Sequence, residues 1–167
     1  MERRPRVGIS ACLLGERVRY DGGHKRQPLL LKELGPLVEW VSVCPEVEAG
    51  MGTPRPPLCV RRDGPDGGLR LLERVSGRDH TARMRRWAAS RIEQLRRLEL
   101  CGYVLKARSP SCGIRDVEGG GRGLFADLLM RAFPDLPVED EARLEDAALC
   151  RAFAERVAAL HQSLLRG

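Results

Sequence analysis

Three cysteines, Cys12, Cys44 and Cys112, each follow a short apolar run that reads as a strand. RVGISACLLG carries the first, VEWVSVCPE the second and GYVLKARSPSCG the third. Thiolates are soft metal ligands and strong nucleophiles, so the place where they gather matters. In a parallel α/β sheet, ligands bind beyond the carboxyl ends of the strands, and parallel strands bring those ends to one edge. Cys12 and Cys44 stand directly past such ends. Cys112 lies five residues beyond Ala107, so its loop must fold back to join them.

Three converging thiolates suit two kinds of inorganic group. Zinc takes four ligands in a closed structural site, or three with an open position in a catalytic one. Iron–sulfur clusters are usually held by four cysteines; a cubane held by three leaves one iron open as a Lewis acid. Core packing or a simple reactive thiol is the plainer alternative, because the three positions are far apart in sequence. Glycine, serine and proline flank them at Gly15, Pro45 and Ser109-Pro110-Ser111-Cys112-Gly113. Such residues make tight turns whose free backbone N–H groups can stabilise anionic sulfur. Cys59 in an edge strand, Cys101 at a helix end and Cys150 inside a helix read as packing residues. Six cysteines in a cytosolic chain of 167 residues point to metal binding or catalysis before disulfides.

The elements that must position these thiols alternate. Strands are expected over 6–11, 37–43 and 103–107, with a short one over 136–138. Residues 29–34 form a short helix. A glycine- and proline-rich loop spans 45–57. Residues 59–62 and 69–75 pair as a hairpin around Asp63-Gly64-Pro65-Asp66-Gly67-Gly68. A long helix runs to about Leu100, capped by Asp79 or Thr81, with Met84, Ala88, Ile92 and Leu95 on its apolar face. A serine- and glycine-rich loop covers 108–121. Helices follow over 123–132 and 141–165, the last with Leu149, Phe153, Val157, Leu160 and Leu164 on one face. Alternating strands and helices predict an α/β class: a single-domain, Rossmann-like three-layer fold over 1–167 with a mostly parallel sheet.

Composition sets the frame. Hydrophobic residues make 43% and charged residues 31%, a globular profile. No apolar run approaches the roughly 20 residues that span a bilayer. Ile9-Ser10-Ala11-Cys12 resembles a lipoprotein cleavage box, but the apolar segment before it is too short. A cytoplasmic protein without a membrane partner is expected. Net charge is +6, yet Lys25, Lys32 and Lys106 are the only lysines and acids interleave with the arginines. Aromatics make only 4%, so stacking platforms for bases are scarce. A solvated arginine-rich surface is the plainer reading; nucleic acid or an anionic substrate is the sharper one.

At the cysteine motifs the chain resembles a known bacterial family. Ser10-Ala11-Cys12-Leu13-Leu14-Gly15 with Arg19-Tyr20-Asp21-Gly22 carries the resemblance. So do Cys44-Pro45-Glu46-Val47-Glu48-Ala49-Gly50-Met51-Gly52 with Pro54-Arg55-Pro56-Pro57, and Lys106-Ala107-Arg108-Ser109-Pro110-Ser111-Cys112-Gly113. The likeness continues through Gly77-Arg78-Asp79-His80-Thr81 to Pro137-Val138-Glu139-Asp140-Glu141. The family is that of the 2-thiouracil desulfurases. The resemblance implies a [4Fe-4S] cluster held by Cys12, Cys44 and Cys112, with a free iron that binds the sulfur of a thiocarbonyl. It implies non-redox desulfuration of a small molecule such as 2-thiouracil, with the oxo base and sulfide as products. It also implies catalytic roles for Glu46 and Ser109.

Chemistry gives those two residues matching tasks. Glu46, two residues past a cysteine, can act as general base or proton shuttle if partial burial raises its pKa. The Ser109 hydroxyl can orient substrate or relay a proton. The plain alternatives are a helix N-terminal acid for Glu46 and a turn residue for Ser109. His24 could complete a Cys3His zinc site or be a surface histidine. Arg55 could meet an anion, pair with Glu46 or lie on the surface. Tyr20 and Asp21 either shape a pocket or build a turn. Gly121-Arg122-Gly123-Leu124-Phe125-Ala126 fits a dinucleotide fingerprint but follows a long loop, so it reads better as a helix start facing the site. The rival functions are a structural or hydrolytic zinc protein, a module acting on thiolated RNA, and a thiol redox protein that lacks the C-x-x-C pair.

Overall fold

Extended runs of three to five residues are too short to stand alone and must pair through their backbones. In the computed structural model, which describes residues 2–167, four of them form one parallel sheet. Its strands are β1 (Arg6–Ser10), β2 (Glu39–Val43), β5 (Gly102–Leu105) and β6 (Val138–Asp140), in spatial order β2-β1-β5-β6. A separate antiparallel hairpin joins β3 (Leu58–Arg61) and β4 (Arg70–Glu73).

Side-chain alternation on β5 divides the core in two. Tyr103 and Leu105 face one side, with the buried Met84, Ala88, Ile92 and Leu95 of α3 (Thr81–Arg97) and Phe125 and Leu129 of α4 (Leu124–Ala132). Val104 faces the other, with Leu30 and Leu34 of α1 (Pro28–Leu34) and Phe153 and Val157 of α5 (Ala147–Arg166). Helices thus cover both faces of a parallel sheet, which gives the three layers expected. Close packing of strands forces one glycine: a Cβ on Gly8 would sit 2.3 Å from the Tyr103 ring.

Several boundaries differ from the sequence expectation, each for a local reason. β1 stops at Ser10, and Ala11–Leu14 form a 3₁₀ turn closed by Gly15 at φ 99°. The loop after Cys44 opens with a one-turn helix, α2 (Pro45–Glu48), started by Pro45 at its first position. α3 ends at Arg97, and Glu99 then takes a left-handed φ of 53°. Of the two expected caps, Asp79 meets the helix's first N–H and Thr81 does not act as a cap. The Thr81 hydroxyl instead accepts from the Leu71 N–H of β4 at 2.9 Å, while Asp79 accepts from the Thr81 N–H at 2.8 Å. The closing helix starts at Ala147, because Asp146 accepts from the N–H groups of Ala148 and Leu149. The last strand is Val138–Asp140, two residues later than expected; its carboxylates are met by Arg115 and Arg143. Cys101 and Cys150 are buried in the core opposite the hairpin, as packing residues. No helix among the described residues is long and apolar enough to cross a membrane.

Candidate functional site

A cleft of about 710 Å3 opens at the carboxyl edge of the parallel sheet. All three cysteines line it. Cys12 comes from the turn after β1, Cys44 caps the N-terminus of α2 directly after β2, and Cys112 comes from the loop after β5. Cys12 responds to the charge of Cys44, and Cys112 to those of Cys44 and Cys12, so the sulfurs lie within electrostatic reach.

Burial governs their acidity. It pushes the Cys12 thiol up to about 11, against the opposing charge of Lys106 and with the added charge of Cys44. It raises Cys44 as well, opposed by the backbone N–H groups of Val47 and Glu46 that face its sulfur at the start of α2. Burial raises Cys112 well above the ordinary value; a hydrogen bond from the Ser10 hydroxyl counters this, and the charges of Cys44, Glu46 and Cys12 add to it. Burial outweighs the nearby Lys106 and Arg55 charges and holds the three thiols protonated at neutral pH. A group that binds them must supply positive charge.

The Cys112 loop is built from both ends. The Ser109 hydroxyl oxygen accepts from the N–H groups of Ser111 at 3.2 Å and Cys112 at 3.0 Å. Its own proton remains available to donate. The start of α4 then clasps the loop: Gly123 N–H donates to Gly113 O at 2.7 Å, Leu124 to Pro110 at 3.0 Å and Ala126 to Ser111 at 2.9 Å. Those helix N–H groups are therefore taken, and the Gly121–Ala126 stretch offers no free cradle to a pyrophosphate. It is a helix start packed on the site.

Glu46 projects from α2 into the cleft. Its Oε1 accepts from the Ser111 hydroxyl at 2.9 Å, and its Oε2 is held by Nε of Arg55 at 3.0 Å and by Nη2. Arg55 is buried, so its role is the ion pair and not the surface. The helix-terminal task falls to Glu48, which accepts from the Cys44 N–H at 2.9 Å. On the opposite wall, Lys106 donates to Glu141 at 2.8 Å and to the Ala107 carbonyl at 3.0 Å, while Glu141 accepts from the Ala107 N–H at 2.7 Å.

Tyr20 lines the mouth and Asp21 builds its turn, accepting from the Gly23 N–H at 2.9 Å. His24 is exposed, lies outside the lining, and accepts from the Arg26 N–H at 3.1 Å. It brings no fourth ligand. Among the described residues, no three His, Cys, Asp or Glu side chains close on a point that one metal ion would occupy. A tetrahedral zinc needs sulfurs about 2.3 Å from a shared centre. A cubane asks less, because each cysteine holds a different iron.

Ser111, Ser10, Lys106 and Glu141 were not picked out by sequence reasoning. The rule that found the cysteines also points to three of them: Ser10 ends β1, while Lys106 and Glu141 directly follow β5 and β6. Ser111 carried no signal of its own beyond lying next to Cys112.

Comparison with known proteins gives the family. The family model for 2-thiouracil desulfurase matches residues 7–141. A solved structure described as a [4Fe-4S]-dependent thiouracil desulfidase, TudS, is 34% identical, covers 89% of this chain and 99% of that one, and superposes with a TM-score of 0.69. The uncharacterized protein YbbK of Bacillus subtilis (strain 168) is 31% identical, over 74% of this chain and 89% of that protein. The chain belongs to the 2-thiouracil desulfurase family.

Proposed function

We propose that the protein is a [4Fe-4S]-dependent desulfurase that converts a thiocarbonyl compound such as 2-thiouracil to its oxo form and sulfide. The observation that carries this reading is the joint lining of one cleft by Cys12, Cys44, Cys112 and Glu46. The relative described as a [4Fe-4S]-dependent thiouracil desulfidase supports it.

The donor set fits such a cluster. Cys12, Cys44 and Cys112 would hold three of its irons.

When bound, the cluster supplies a Lewis acid at the iron that no cysteine holds. The chain's own residues do the rest. Glu46 takes a proton from the water that attacks the thiocarbonyl carbon. Oε1 accepts only from the Ser111 hydroxyl and so keeps a lone pair for this proton. Ser109, its oxygen fixed by two backbone N–H groups, turns its proton toward the substrate and orients it. Lys106, Arg19, Lys25, Arg74 and Arg108 along the cleft favour an electron-rich or anionic substrate.

The test is anaerobic purification followed by iron, sulfide and zinc analysis, an absorbance spectrum and thiouracil turnover. About four irons and four sulfides per chain are expected from the cluster's formula, with a broad brown absorbance lost in Cys112→Ala. Sulfide release should fall on the order of 100-fold or more in Glu46→Ala. Colourless protein with one zinc after iron–sulfur reconstitution would overturn the reading.

A further inference from the structure

Arg55 spends its guanidinium inside the protein. Nε donates to Glu46 Oε2 at 3.0 Å, Nη2 reaches the same oxygen, and Nη1 donates to the Gly52 carbonyl at 2.9 Å. Its backbone N–H donates to the Tyr20 carbonyl at 2.8 Å, so its position is set by both the 52–57 segment and the Tyr20 loop. Only 4% of the arginine side chain and 13% of the glutamate side chain are exposed. A buried pair of this kind bears a desolvation cost and contributes little net stability compared with apolar packing. Its value lies in geometry. Two donors converge on Oε2, while Oε1 meets one neutral hydroxyl, that of the buried Ser111, at 2.9 Å.

The asymmetry has a chemical consequence. Glutamate has three side-chain torsions that must be fixed to hold its carboxylate in place. A carboxylate meant to take a proton from water must present one oxygen at a constant place. A lysine could supply the charge but not a fork that grips Oε2 twice and the Gly52 carbonyl at once.

We propose that Arg55 is a positioning residue for Glu46: it occupies Oε2, so that Oε1, shared with Ser111, is the oxygen that receives the proton. The proposal rests on the desulfurase reading. In the step it serves, a water proton moves to Oε1, the water oxygen bonds to the thiocarbonyl carbon, and the carbon–sulfur bond breaks. Both water protons finally leave with the sulfur as hydrogen sulfide, so no oxidant or reductant is needed.

The experiment compares Arg55→Ala, Arg55→Lys, Glu46→Gln and the Arg55→Ala/Glu46→Gln pair in iron–sulfur-loaded protein, with 2-thiouracil as probe. Arg55→Ala should lower kcat roughly 100-fold, the scale of a misplaced catalytic group, with KM little changed and iron and sulfide content intact. Arg55→Lys should recover roughly tenfold of that loss. In the Glu46→Gln background, Arg55→Ala should cost less than about twofold, because Arg55 acts only through the carboxylate. Equal losses in both backgrounds, or a loss that follows iron content or KM, would overturn the proposal. A crystal structure of Arg55→Ala decides the matter independently of turnover. The Glu46 carboxylate displaced from Ser111 supports the assignment, and the carboxylate unmoved overturns it. Absence of sulfide release from the unaltered loaded protein would instead count against the desulfurase reading.

Discussion

Ser10 and Lys106 are joined across the carboxyl edge of the sheet: the Lys106 N–H donates to the Ser10 hydroxyl oxygen at 2.9 Å. The same hydroxyl turns its proton toward Cys112. One buried serine therefore ties the end of β1 to the end of β5 and to a cysteine of the cleft. Ser10→Ala removes both contacts and leaves the Lys106 N–H without its partner. A cost of about 1–3 kcal/mol is expected for that unsatisfied donor. Iron uptake should fall with it, because the Cys112 thiolate loses its hydrogen bond. Urea denaturation of cluster-free protein reads the first effect and iron analysis the second; unchanged values in both would show the serine to be incidental.

Gly123 is placed where no side chain fits. A Cβ there would lie 2.6 Å from the Ser111 carbonyl and 2.8 Å from the Ser109 oxygen. Those are backbone atoms of the Cys112 loop, so the loop itself must move. Gly123→Ala should cost roughly 1–3 kcal/mol and reduce iron content in proportion. Gly121 is the contrast: its φ of 75° strains an alanine, but the space around it is open. Gly121→Ala should cost about 1–2 kcal/mol of stability and leave iron content alone. Thermal melts with iron analysis on the two variants separate a displaced loop from a strained turn.

These cases mark where the sequence was legible. The apolar face of α3 and the valine-rich strands follow from periodicity, so the parallel sheet and its cysteine-bearing edge could be read directly. α2 could not, because four residues are too few for a helical period. The start of α5 was ambiguous, since Glu141 and Asp146 both precede apolar residues; only the bonds to Ala148 and Leu149 select Asp146. The acids of β6 hid only where its strand ends, because their partners Arg115 and Arg143 lie outside it. The Glu46–Arg55 pair was one of the readings open to Arg55, but the contact of Glu46 with Ser111 joins α2 to the Cys112 loop, and no local pattern encodes that meeting.

Glu73 and His80 bind the end of β4 to the start of α3 through a contact of 2.8 Å. The bond from His80, then that from Ser76, holds the Glu73 carboxyl below its ordinary value. A lowered carboxyl contributes stability that is full above its unfolded pKa, roughly 4.3, and is lost as pH falls through its folded value. Unfolding free energy should therefore drop between about pH 5 and pH 3, and Glu73→Gln should flatten part of that slope. Denaturation across this range checks it; parallel slopes for the two proteins would remove Glu73 from the acid response.

Cys12 gives a prediction for the protein free of iron. Only thiolates alkylate, and an ordinary cysteine ionises near 8.5. Burial pushes Cys12 to about 11, with Lys106 restraining the rise. At pH 8 its thiolate fraction is then on the order of 0.1%, against roughly a quarter for an unfolded cysteine. Native protein should react with iodoacetamide at Cys12 at least about 100-fold more slowly than protein in urea. The rate should still climb close to tenfold per pH unit from 8 to 10. Lys106→Met removes the restraining charge, so it should slow the reaction further and move the rise to higher pH. Site-resolved mass spectrometry over this range reads the rates. A plateau by about pH 9.5 would mean an ordinary thiol. A continuing rise means that loading the site must expel a proton from Cys12, and that iron uptake becomes easier as pH increases.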